Sequence, residues 1–267
     1  MVLLSAVTLY AGAWTQERGK SYHRFAVNYY LTDQEFDNGG DSRDMARNGE
    51  FRDFNLNYYM EYGIFDQLTV LGSVYYKDIR KDDDYMTYDT NGIGDMDLGL
   101  RYRLYSGDAG IFSIQGLAKT PECYDGNDAL PLGNGQSDYE LRLLYGRSLW
   151  PFIPGYMNLE AGYRWRVGAP ADEFRYLVET GSELGMDFYA RAKLDAIIGM
   201  KNGDTGVDAS GNPTSTLEYD LTKLDLTVGR RITKALGLEL ECTPALWGKN
   251  TAKGATWTFA LIFQPGN

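Results

Sequence analysis

Along most of this chain, apolar and polar side chains alternate one residue at a time. The clearest run is Ile93 to Tyr105. Met96, Leu98, Leu100, Tyr102 and Leu104 fall on one face; Asp95, Asp97, Gly99, Arg101 and Arg103 fall on the other. A period of two marks an extended strand and not a helix. At 13 residues the run exceeds an ordinary soluble strand and is long enough to cross a bilayer at a tilt. The carboxylates and guanidinia of the second face need water or one another. The first face can meet hydrocarbon. A soluble sandwich would turn these faces the other way, with apolar residues inward on shorter strands.

The same alternation recurs along the chain. It predicts strands at about 22–31, 54–62, 68–76, 93–105, 112–120, 138–149, 157–166, 173–179, 188–195, 218–230, 238–243 and 255–263. The run at 138–149 sets Tyr139, Leu141, Leu143 and Tyr145 against Asp138, Glu140, Arg142 and Leu144. The run at 157–166 sets Met157, Leu159, Ala161, Tyr163 and Trp165 against Asn158, Glu160, Gly162, Arg164 and Arg166. Further on, the polar phase carries Glu173, Arg175 and Glu179, then Arg191, Lys193 and Asp195. A slip of phase near Lys223 predicts a β-bulge.

Long polar segments (34–53, 77–91, 121–136, 201–213) and short Gly, Asp or Pro turns (65–67, 106–110, 150–155, 181–185, 232–236) punctuate the runs, with brief loops at 167–171 and 249–254. Long and short connections alternate, and the strand count is even. The fold class expected is therefore all-β: a transmembrane antiparallel up-and-down β-barrel of about twelve strands. Its long loops would be extracellular, and its short turns and both termini periplasmic.

Two domain-level expectations follow. Residues 1–13 read as a signal-peptide remnant, with an apolar Val2–Leu9 and a small-x-small cleavage site, Ala11-Gly12-Ala13, before Trp14. Residues 14–267 read as one barrel, with the polar Thr15–Lys20 in the periplasm.

Composition narrows the function classes. The formal charge of −11 argues against nucleic acid as a partner. No run approaches the length of apolar sequence a transmembrane helix needs. Low mean hydropathy does not exclude a membrane barrel, because only alternate residues face lipid. Membrane lipid and lipopolysaccharide are the partners this fold implies. Tyr62, Tyr76, Trp165, Tyr176 and Trp257 sit toward strand ends in the apolar phase, as interfacial aromatics do. Cys123 and Cys242 fall on distant strands and are expected to be two free thiols.

Three stretches carry a family resemblance. Gly92-Ile93-Gly94-Asp95, continued by Asp97 to Leu104, resembles a motif of small Gram-negative outer-membrane barrels, including the group named after meta-pathway transporters of aromatic degradation. Asp138 to Arg147 and Leu159 to Arg166 resemble XagA-like outer-membrane proteins, which are associated with exopolysaccharide-dependent adhesion. The resemblance implies a location and a fold, and no established reaction or solute. The final outward Phe263 resembles the C-terminal aromatic of outer-membrane barrels.

Catalysis is not expected. Barrel hydrolases and transferases need a histidine with a serine or carboxylates. The one histidine, His23, lies in the outward phase at a strand start. No cofactor is expected. Asp82, Asp83 and Asp84 are weighed as a Ca²⁺ site against a solvated charge run, the favoured reading. The informative surface is the interior. The expected lumen residues are Asp95, Asp97, Arg101, Arg103, Glu140, Arg142, Glu160, Arg164, Arg166, Glu173, Arg175, Arg191 and Lys193. Drawn register places Arg142 near Glu160, and Arg164 and Arg166 near Glu173. Tyr30, Tyr59 and Tyr189 are weighed as stacking surfaces for sugars. Two readings stay open. The ion pairs line a narrow path passing a small polar or anionic solute, saccharide among them. Alternatively they brace a closed barrel serving exopolysaccharide or surface adhesion.

Overall fold

The computed structural model describes residues 12–120, 124, 128–133, 135–167, 171–201 and 218–265. Twelve long strands form one antiparallel sheet: β1 (Ser21–Phe36), β2 (Glu50–Phe65), β3 (Leu68–Asp82), β4 (Thr87–Gly107), β5 (Gly110–Thr120), β6 (Asp138–Ser148), β7 (Gly155–Arg166), β8 (Glu173–Gly185), β9 (Phe188–Gly199), β10 (Asp220–Arg231), β11 (Leu236–Lys249) and β12 (Thr251–Phe263). Each pairs with its neighbour in sequence, and β12 pairs with β1 from His23↔Phe263 to Phe36↔Thr251. The sheet therefore closes into an up-and-down barrel with no free edge. A three-residue strand, Ser42–Asp44, adds to the end of β1, and one 3-10 turn, Ala46–Asn48, follows it.

The expected inversion of faces is present. On β4, Leu98 and Leu100 are 64% and 52% exposed, while Arg101 between Leu100 and Tyr102 is 5% exposed. Among the most deeply buried side chains are Gln16, Glu35, Glu173, Asn158 and Asp138. The centre of this molecule is polar and its skin is apolar, the reverse of a soluble domain.

Strand lengths differ from expectation. The segment 77–91, read as a long loop, is mostly paired: β3 and β4 continue to Asp82↔Thr87 and leave only residues 83–86 as a turn. Likewise β11 and β12 are joined by Asn250 alone. Beyond the apolar band both faces of a strand are wet. Polar residues then occupy both phases, and backbone pairing continues without a pattern to reveal it. The bulge near Lys223 is present as a shift in the β10/β11 register between Thr222 and Lys223, with the extra residue, Leu246, on β11.

The five short turns lie at one end, together with both ends of the described chain; this is called the turn end here, and the opposite end the loop end. Three are two-residue links; the one between β8 and β9 is Met186-Asp187, beyond the expected 181–185, which is paired as the end of β8, and both residues are at positive φ (51° and 66°). That is the twist-matched two-residue hairpin turn, made here without the usual Asn-Gly.

The lumen as candidate functional site

Three polar clusters fill the barrel. The first is centred on Glu140 of β6. Arg142 Nη2 lies 2.6 Å from Glu140 Oε1, and Arg164 Nη2 and Arg175 Nη1 lie 2.9 and 3.3 Å from its Oε2. Arg142 also donates to Glu160, at 2.5 Å. Arg166 donates to Glu173, which accepts a second hydrogen bond from Tyr219, 2.9 Å. Lys119 bridges Asp95 and Asp138 at 3.0 and 2.9 Å. Register explains the convergence. Arg142, Gly162 and Arg175 lie in one row across β6, β7 and β8. A Cβ on Gly162 would lie 3.2 Å from that of Arg142. The missing side chain gives two guanidinia room to turn toward the carboxylates.

The second cluster joins β1, β9, β10 and β11. Arg24 reaches Glu239 and Glu241, both at 3.3 Å, and Arg191 reaches Glu239 at 3.3 Å. Tyr189 donates to Glu239, 2.9 Å, and Lys193 pairs with Asp225. Nearby, Tyr156 donates to Glu179, 2.6 Å.

The third cluster holds the chain's own N-terminal segment inside the barrel. Arg101 donates to the Trp14 carbonyl, 2.9 Å, and to Gln115, 3.1 Å, and pairs with Glu61, 3.1 Å. Glu61 accepts from Gln16 Nε2, 2.8 Å, and from Tyr59, 2.5 Å. Ala13 donates to Asn158 and accepts from Ser113, and the Gln16 amide donates to Thr69. Two glycines admit the segment: a Cβ on Gly63 would lie 2.1 Å from the Glu17 carbonyl, and one on Gly146 would lie 2.4 Å from the Trp14 ring. Of Thr15 to Lys20, expected to lie in the periplasm, Thr15 and Gln16 are buried against the inside of the wall at the turn end, while Glu17, Arg18 and Gly19 are exposed there. Gly12 and Ala13, expected on the leader side of a cleavage, are seated with it. The apolar run Val2–Leu9 lies outside the described residues.

Between this segment and the first two clusters lies a polar cavity of about 310 Å³, lined by Tyr22, Arg24, Glu61, Arg101, Arg142 and Arg191 among others. At the loop end Tyr124 donates to Asp95, 2.5 Å. Burial, and then that carboxylate, push the Tyr124 hydroxyl above its ordinary pKa.

Of the thirteen expected lumen residues, eleven join these clusters. Arg164 chooses Glu140 and not its opposite number Glu173. Asp97 has a buried Oδ1 without a hydrogen-bond partner among the described residues. Arg103 makes no ion pair among the described residues; it sits beside a register shift between Arg103 and Tyr105 at the turn end, where its backbone amide donates to Gln67. Arg24, Glu61, Lys119, Asp138, Glu239 and Glu241 were not singled out, although the inward phase marks most of them. The hydroxyls of Tyr59 and Tyr189 are engaged by Glu61 and Glu239, and the Tyr30 ring lies 6.1 Å from Phe51.

His23 lies on the outer side, bonded through Nδ1 to Tyr58 and through Nε2 to Ser21, both at 2.9 Å. Asp82 pairs with Arg80 at 2.6 Å, Asp83 accepts the Tyr85 amide, and Asp84 accepts from Asn48. The three carboxylates thus turn to separate partners. Cys242 is a free thiol, and Cys123 lies outside the described residues.

This closed, twelve-stranded, polar-cored architecture has counterparts among solved structures. The COG4313 outer membrane channel from Pseudomonas putida F1 superposes with a TM-score of 0.74 over 94% of this chain and 97% of that one, at 15% identity. The fold is that of a small outer-membrane barrel. The NanC porin (TM-score 0.56, 8% identity, 90% and 98% coverage) and the β domain of the Bordetella autotransporter BrkA (0.52, 13%, 93% and 99%) share it. No protein-family model and no curated protein matches the chain. The XagA likeness therefore rests on the two sequence stretches that suggested it. Because a porin and an autotransporter domain share the architecture, function has to be argued from the interior.

Proposed function

We propose that the protein is an outer-membrane channel of a Gram-negative bacterium. It gives passive passage to a small polar or anionic solute through a narrow ionic lumen that its own N-terminal segment throttles. The observation that carries this reading is the polar cavity on the barrel axis, walled by charges of both signs inside an apolar skin. Water and a small polar solute are at home there; an acyl chain is not. Size is limited by the seated segment, and charge by the paired guanidinia and carboxylates. Saccharide is a solute class compatible with the inward tyrosine rings.

Planar-bilayer recording tests the reading: small, discrete ion steps are expected, and a complete absence of steps at every voltage ends it. A second reading, a non-conducting barrel serving exopolysaccharide or surface adhesion, draws on the density of internal ion pairs and predicts that silence.

Two further outcomes are expected. Replacing both Arg164 and Arg166 by Ala leaves Asp138, Glu140 and Glu173 short of counter-charge. Reversal potentials should then move toward cation preference, and unchanged potentials would remove those arginines from the path. Leu100→Arg puts a guanidinium near the middle of the apolar band and should lower folding stability in lipid vesicles by about 2–4 kcal/mol. Leu100→Phe should be close to neutral, and equal stability of the two variants would contradict the membrane assignment.

A further inference from the structure

The outer wall is not uniformly bulky. Thr180 and Ser182 of β8 and Ala190 and Ala192 of β9 face outward, where the neighbouring strands carry Leu226, Val228, Leu240 and Trp257. Register sets Ser182, Ala190, Val228 and Leu240 in one row, and Thr180, Ala192, Leu226 and Cys242 in the next. Four small side chains beside large ones leave a shallow, almost wholly apolar depression of about 540 Å³.

One row nearer the turn end, Phe188 lies opposite Arg230. The Arg230 guanidinium sits 5.0 Å above the Phe188 ring. This cation–π contact holds the charge against the same strand as the two alanines, at the rim of the depression. Arg231, next in sequence, turns inward to Glu183 at 3.1 Å. Arg230 is exposed and has no carboxylate within ion-pair distance among the described residues. A fixed cation thus stands at the turn-end rim of an apolar groove. Arg147 of β6 is also exposed on the outer face at this end, where the wall above it carries the large side chains Tyr145 and Leu143.

We propose that this groove binds one glycerophospholipid, with an acyl chain laid over Ala190 and Ala192 and its phosphate against Arg230. A chain laid in the depression touches more protein than one on the flat wall beside it, and so gains dispersion contacts. The guanidinium offers the fork geometry that phosphate accepts bidentately. The turn end faces the periplasm in the proposed orientation, which is the glycerophospholipid leaflet. A second copy of the chain fits less well. A two-fold axis along the membrane normal would bring both Arg230 side chains to the same level of one interface, like charge against like.

Native mass spectrometry of the full chain released from nanodiscs of phosphatidylethanolamine and phosphatidylglycerol tests this. Wild type and Arg147→Gln should each keep one phospholipid under mild activation. Ala192→Leu, which fills the groove, and Arg230→Gln should reduce that retention by about tenfold, the scale of one lost charge-assisted contact. The heat-modifiable gel shift of a folded barrel confirms that each variant is intact. Equal retention in all four, or none in the wild type, overturns the proposal, as does a dimer in place of bound lipid. Loss in Ala192→Leu alone overturns the phosphate contact.

Discussion

Gly146→Leu is expected to raise single-channel conductance several-fold over the wild type. The substitution needs no deletion. The Trp14 ring occupies the space a side chain at 146 would need, its nearest atom 2.4 Å from where a Cβ would sit. Leu therefore expels the ring, and with it the segment seated along the wall at the turn-end mouth. Hydrogen bonds hold that segment and break when it leaves: Arg101 to the Trp14 carbonyl, Gln16 to Glu61, the Gln16 amide to Thr69 and Ser113 to the Ala13 carbonyl. Each is worth about 0.5–1.5 kcal/mol net, and water entering the opened mouth replaces part of that. The wall itself keeps its β1–β12 closure, so the barrel should stay folded and heat-modifiable. A mature chain starting at Lys20 behind a foreign leader should open to a similar conductance. Should both variants conduct as the wild type does, the segment does not limit flow, and the constriction belongs to the ion pairs.

Glu140→Ala should be the most damaging single substitution in the lumen. One carboxylate, 4% exposed, serves Arg142, Arg164 and Arg175. Removing the partner of a buried charge typically costs about 3–5 kcal/mol, because the remaining charge stays desolvated. Here three guanidinia are affected, although each retains another acidic neighbour: Arg142 keeps Glu160, Arg164 keeps Asp138 and Arg175 keeps Glu173. The loss should fall within that range and not multiply threefold. Glu160→Ala should cost less, since Arg142 retains Glu140. Urea unfolding in vesicles reads both variants. The surviving folded Glu140→Ala fraction should shift reversal potentials toward anions, opposite in sign to the Arg164, Arg166 double variant. Equal midpoints for Glu140→Ala and Glu160→Ala would show that Glu140 is no hub.

The barrel was legible because its physics writes a period of two into the sequence. Leu98 and Leu100 had to face out once Asp97 and Arg101 faced in, and the Arg142–Glu160 contact followed from adjacent strands with like phase. Legibility stopped where that period stopped. Residues 77–82 and 87–91 pair as strand, yet polar residues occupy both of their faces and nothing in their composition separates a wet hairpin from a loop. Trp14 to Lys20 has no alternation at all; its seat is prepared by Gly63 and Gly146, far away in sequence, through side chains they lack. Arg164 opposite Glu173 looked like a pair, but register also sets Glu140 opposite it across β6 and β7, and Glu140 took the guanidinium. Lys119 was missed because its strand alternates Ser113, Gln115 and Leu117 inward, a phase too weakly polar to draw attention to its one charge.

An inverted barrel turns its leucines to hydrocarbon and its ion pairs to water. Spin labels placed singly at Leu98, Leu100, Leu141 and Leu143, and at Gln115 and Thr227 on the inner face, report this in reconstituted vesicles through relaxation by oxygen and by a water-soluble nickel chelate. The structure predicts strong oxygen and weak nickel contact at the four leucine positions, and the opposite balance at Gln115 and Thr227. Leucine-site labels relaxed by nickel, with labels at Gln115 and Thr227 shielded from it, would contradict the inverted barrel and the channel proposed within it.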